Sequence, residues 1–72
     1  PKLAELMQLF LRNQDTTLAR KHIMQTIWKT DYMGDTRTLD VHIRWLREKL
    51  EDDPRHPRRI VTVRRVGYKL VK

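Results

Sequence analysis

Four apolar residues, Leu39, Ile43, Leu46 and Leu50, constrain the fold more than any other feature of the chain. At roughly 100° per residue they fall within about 60° of one another, so they define one buried stripe on a helix. The stripe stops abruptly, because Pro54 disfavours helical backbone at Asp53 and Pro57 interrupts the chain again. Beyond the prolines, "RIVTV" and "VGYKLV" are β-branched or alternating runs on either side of Arg64-Arg65, which reads as a terminal hairpin.

Upstream, "PKLAELMQLFLRN" repeats Leu3, Leu6, Met7 and Phe10 at helical spacing, with Pro1 suited to a first turn and Asn13 to an end. The spacing of "LARKHIMQTIW" predicts a second, shorter helix with Ala19, Ile23 and Ile27 on one side and Trp28 away from it. "KTDYMGDT" breaks the pattern and reads as a loop. The expected order is helix, helix, loop, helix, hairpin. That is a mainly α chain with three helices, a helix-turn-helix followed by a C-terminal β-hairpin wing.

The 72 residues suffice for one small domain with no room for a catalytic cleft, and the absence of cysteine removes disulfides and thiolate zinc ligands. Apolar runs of four or five residues are far short of the roughly 20 that span a bilayer, and no charged-then-apolar leader opens the chain. A soluble, intracellular protein with no membrane contact is the expectation. The net charge of +7 is unevenly spread: residues 1–35 carry five bases and four acids, residues 36–72 eleven bases and five acids. Residues 54–72 carry seven bases and no acid. Such asymmetry suits a partner rich in phosphates, although a solvated surface also carries charge.

With the Leu39 stripe turned inward, the third helix displays Arg37, Thr38, Val41, Arg44, Trp45 and Glu48. This face combines cations for phosphates, hydrogen-bonding groups for base edges and an apolar group for thymine methyls. An i, i+4 ladder of Asp40, Arg44 and Glu48, with a second of Arg47 and Glu51, is the structural alternative. Trp45 has its own alternative, packing over the edge of the core. Arg64 and Arg65 at the hairpin reversal match the width of a minor groove, and together the two basic features point to nucleic acid.

Catalytic and metal chemistry find no support. His22, His42 and His56 have no second ligand at helical spacing, and Asp52-Asp53 lack a partner base. Thr36, Thr38 and Thr62 have no triad around them, and neither glycine belongs to a phosphate-cradling loop. No enzyme and no cofactor are expected. Two other classes stay open on these residues: a protein-interaction module docking RNA polymerase or a sister subunit, and a non-specific nucleic-acid-binding basic domain.

The run "GDTRTLDVHIRWLREKLEDDPRHPRRIVTVRRVGYKLV" resembles the C-terminal DNA-binding effector domain of the OmpR/PhoB family of bacterial two-component response regulators. The shared pattern is RT, a hydrophobic residue, DVHI, then LR and KL, a Pro-containing loop, and a wing ending in GY. The resemblance implies a winged helix-turn-helix that binds direct-repeat promoter sites as tandem protomers when an upstream receiver is phosphorylated by a sensor kinase. It places the protein in the bacterial cytoplasm, at the nucleoid. By this likeness Thr38, Val41, Arg44 and Trp45 face bases, while Trp28, Arg37, His42, Arg47, Thr62, Tyr68 and Lys69 hold the sugar-phosphate backbone. Arg64 and Arg65 form the minor-groove wing, and Asp31, Tyr32, Met33 and Gly34 form the loop presented to RNA polymerase.

Three residues depart from the pattern. Trp45 stands where a second arginine is frequent, Arg65 where glycine is usual, and Ala19 where a serine caps the second helix. An arginine forced to positive φ costs on the order of 1 kcal/mol, and a lost cap about 1 kcal/mol. The family's N-terminal sheet and receiver are absent from residues 1–72, so the expectation is a fragment whose two-stranded wing has lost a sheet partner.

Overall fold

The computed structural model describes residues 1–30 and 36–72. Helix α1, Lys2–Arg12, forms because Leu6 and Phe10 share one face; both are fully buried, with Leu3, Met7 and Leu9 packed beside them. It ends where the Asn13 side-chain amide donates to the Leu9 carbonyl at 2.8 Å.

The expected second helix begins later than its periodicity suggests. Leu18–Ala19 is a short strand, β1, and helix α2 spans Arg20–Trp28. Ala19 is therefore exposed rather than part of the inner face, and it sits at the N-cap without a side-chain hydrogen bond. Ile23, Met24 and Ile27 are buried, and Lys29 ends the helix at φ 56°. The Lys2 ammonium donates to the orphan carbonyl of Ile27 at 2.9 Å, which helps to close that helix end.

Helix α3 covers Arg37–Leu50, with Leu39, Ile43 and Leu46 buried as the stripe requires. After the proline turn, β2 (Ile60–Val63) and β3 (Gly67–Leu70) pair antiparallel, Ile60 opposite Leu70 and Thr62 opposite Tyr68. The expectation of a hairpin without a sheet partner is corrected here. β1 pairs with β3 on its other edge, Leu18 opposite Tyr68 and Ala19 opposite Gly67, giving the order β1-β3-β2. Gly67 makes this approach possible, because a Cβ there would overlap the Leu18 carbonyl oxygen. The core joins all three helices to the inner face of this sheet through Phe10, Ile23, Leu39, Ile43 and Ile60.

One carboxylate sets where the ribbon starts. Glu51, just past α3, accepts backbone N–H bonds from Arg58, Arg59 and Ile60 at 2.8–3.1 Å. Partial burial works against its charge, but these three donors prevail and hold its pKa below the ordinary range. The expected Arg47–Glu51 ladder is thus replaced by a backbone clamp.

Candidate nucleic-acid interface

On the outer face of α3, Val41 and Trp45 remain 41% and 46% exposed, a large apolar display beside Arg37 and Thr38. Arg37, Thr38, Val41, His42 and Trp45 line one shallow notch. His42 organises it. Its Nδ1 is 2.7 Å from the Thr38 carbonyl, which can only accept, so Nδ1 carries the proton of that bond. The imidazole lies edge-on to Trp28, with centroids 4.9 Å apart, and tilted against Trp45 at 5.0 Å. Trp45 therefore packs on one side and faces outward on the other. Helical spacing could not reveal this aromatic row, because Trp28 belongs to a different helix.

Arg44 Nε is 3.5 Å from Glu48, so that rung of the expected ladder exists, with Arg44 still 81% exposed. Asp40 is engaged elsewhere. Its Oδ1 accepts from Arg20 Nη2 at 2.6 Å and from the Tyr68 hydroxyl at 3.0 Å. Arg20 also donates to Thr36 Oγ1 at 2.6 Å and to the Tyr68 oxygen at 3.0 Å. Burial opposes the Arg20 charge, yet the bonds to Asp40 and Tyr68 outweigh it and raise its pKa. Burial is also the main reason that the Tyr68 phenol is pushed up. The first turn of α3 is thereby tied to the start of α2 and the middle of β3.

Arg47 makes the second tie. Its Nε donates to the Ile60 carbonyl at 3.0 Å and its Nη2 to Thr62 Oγ1 at 2.9 Å. The Arg20 and Arg47 guanidinium carbons each lie 5.6 Å from the Tyr68 ring centroid. Tyr68 is 7% exposed, and its hydroxyl has its partners inside the protein. Lys69 pairs with Val61, on the opposite sheet face from Thr62 and Tyr68, and so is not brought into this group.

Arg64 and Arg65 occupy the β2–β3 turn, which the Val66 N–H closes onto the Val63 carbonyl at 3.0 Å. Arg65 has φ 66°, so this turn does demand the left-handed backbone that glycine takes without strain. Val66 beside it is 48% exposed. The candidate loop residues Asp31, Tyr32, Met33 and Gly34 lie outside the described residues. Among the described residues no group of three or more His, Cys, Asp or Glu is placed to hold a metal, and no helix is long and apolar enough to cross a membrane.

The arrangement has close counterparts. The family described as "Transcriptional regulatory protein, C terminal" matches residues 1–70. The alkaline phosphatase synthesis transcriptional regulatory protein SphR of Synechococcus elongatus is 47% identical over 70 residues, which cover 97% of this chain and 27% of SphR. The chain thus spans little more than a quarter of that relative's length. Among solved structures, the Thermotoga maritima response regulator DrrB, an OmpR/PhoB homologue, superposes with a TM-score of 0.86 at 30% identity, covering 99% of this chain and 32% of DrrB. The Klebsiella pneumoniae RstA DNA-binding domain, solved in complex with the RstA box, gives 0.87 at 28% identity, covering 97% of this chain and 69% of RstA's. With three helices and a small antiparallel three-stranded sheet superposing on such domains, the chain belongs to the family of C-terminal domains of transcriptional regulatory proteins, winged helix-turn-helix domains of the OmpR/PhoB type.

Proposed function

We propose that this domain binds double-stranded promoter DNA sequence-specifically, with α3 in the major groove and the β2–β3 tip in the adjoining minor groove. Thr38, Val41 and Trp45 read base edges; Trp28, Arg37, His42, Arg44, Arg47 and Thr62 grip the backbone; Arg64 and Arg65 enter the minor groove. Tyr68 supports this surface from beneath. The observation that carries the reading is the pair of ties, Asp40 to Tyr68 and Arg47 to Thr62, which hold the exposed face of α3 and the wing in one fixed relation. The RstA domain, seen with its DNA box, has this same fold and supports the assignment.

In this reading the domain is the output unit of a phosphorylation-controlled response regulator in the bacterial cytoplasm. An upstream receiver and its sensor kinase control it, and tandem protomers occupy direct repeats. Residues 31–34 are the candidate contact to RNA polymerase. Selection of bound sequences from a random duplex pool, followed by salt titration of the winner and a scrambled control, tests the proposal. A recovered half-site bound about a thousandfold above control is the expected result. Equal, steeply salt-dependent binding to both would leave a non-specific basic domain, and no binding to either would leave an interaction module.

A further inference from the structure

We infer that Arg55, in the turn after α3, is a DNA-contact residue that forms with Arg44 and Arg47 a cleft for one backbone phosphate, an assignment that rests on the DNA-binding reading above. Arg44, Arg47, Glu48, Pro54 and Arg55 line this cleft, so three arginines meet one carboxylate in the lining, while Asp53 pairs with Arg55 from outside it. That carboxylate, Glu48, is itself 3.5 Å from Arg44. A planar guanidinium fork suits phosphate oxygens, and three around one opening make a stronger trap than any alone.

The place of the cleft in the fold identifies the ligand. With α3 in one groove and the wing tip in the next, the strand dividing the grooves must cross between α3 and β2. Arg47 bridges that gap through Ile60 and Thr62. Arg44 and Arg55 line the same cleft as Arg47, so a phosphate that enters it to reach Arg47 comes near both.

Arg55 is only loosely held beside this cleft. Its backbone N–H donates to Asp53 Oδ1 at 3.1 Å and its Nε approaches the same oxygen at 3.4 Å, while His56 occupies Asp53 Oδ2 at 3.0 Å. The Arg55 side chain is nevertheless 86% exposed. An exposed pair of this kind contributes little, so exchanging it for a phosphate with release of counterions is favourable. In the linear sequence Arg55 is only a loop charge between two prolines.

The test uses wild type and Arg55→Ala on a duplex selected from a random pool, titrated over a salt series. The titration is then repeated with duplexes in which one backbone phosphate at a time is a neutral methylphosphonate. Expected are a severalfold loss of affinity for Arg55→Ala, a salt slope smaller by about 1, and one methylphosphonate position that weakens wild type but not the variant. Unchanged affinity and slope for Arg55→Ala would overturn this inference and leave the DNA-binding reading intact, as would equal sensitivity of both proteins at every phosphate. If wild type bound no duplex, the underlying reading would fall, and the phosphate site with it.

Discussion

Replacing Gly67 by alanine should detach β1 from β3, and the cost follows from the geometry. A Cβ at Gly67 would overlap the Leu18 carbonyl oxygen and come within 2.9 Å of the Leu18 carbon and 3.0 Å of the Ala19 Cα. All three are backbone atoms, which no side-chain rotation can move aside. The β1–β3 pairing must therefore open, loosening Leu18, which is 5% exposed, and the bond from the Arg20 N–H to the Val66 carbonyl. Backbone bonds contribute about 1 kcal/mol each, and full burial of a leucine about 1.5–3 kcal/mol, so a loss of about 3 kcal/mol is expected. A chain of this length holds only a few kcal/mol to roughly 10 in total. Urea denaturation followed by circular dichroism should therefore show a large fall in midpoint, and DNA affinity should fall too, because the wing loses one edge. An unfolding free energy within about 0.5 kcal/mol of wild type would show that this approach is not tight.

Tyr68→Phe should cost about 1 kcal/mol in the same assay yet leave the salt slope of DNA binding unchanged, because the hydroxyl bonds inward to Arg20 and Asp40; a slope lower by about 1 would mean that the hydroxyl meets phosphate. Arg65→Gly should raise stability by about 0.5–1 kcal/mol by relieving the positive φ while weakening DNA binding, and opposite signs in melting and titration are the signature to look for. Glu51 has a folded pKa below its unfolded value, so its contribution is present above the ordinary value of 4.5 and is lost as pH falls through the lower folded one. Glu51→Gln should therefore destabilise by about 1–2 kcal/mol at neutral pH and flatten the fall in stability below pH 4.5, which denaturation at a series of pH values would show.

What could be read from the sequence was what depends on local pattern. The α1 and α3 stripes, the proline stop and the ribbon follow from spacing and backbone preference, and the structure repeats them. β1 was hidden because a two-residue strand has no periodicity of its own; Gly67, forty-nine positions after Leu18, creates it. The ladder around Asp40 failed for a related reason. An exposed i, i+4 pair gains a few tenths of a kcal/mol, whereas a charge-assisted bond from Arg20 joined to a partly buried one from Tyr68 gains more, so the distant partners prevail. Of the candidate site, the outer face of α3 and the wing tip were legible as patches of charge. The inward role of Tyr68, the contact of Trp28 with His42 and the place of Arg55 beside Arg47 are set by how elements cross.

Trp28 and Trp45 are the two tryptophans of the chain, and both rings lie against His42. The indole emission of the domain thus originates around His42, beside the outer face of α3 and at the edge of the core that Trp28 touches. Drying the rings on contact with a ligand shifts that light to the blue. The unlabelled domain therefore carries its own optical reporter on the side where DNA would seat: Trp45 reports from the exposed face of α3, and Trp28, packed against the core as well, links that face to the interior.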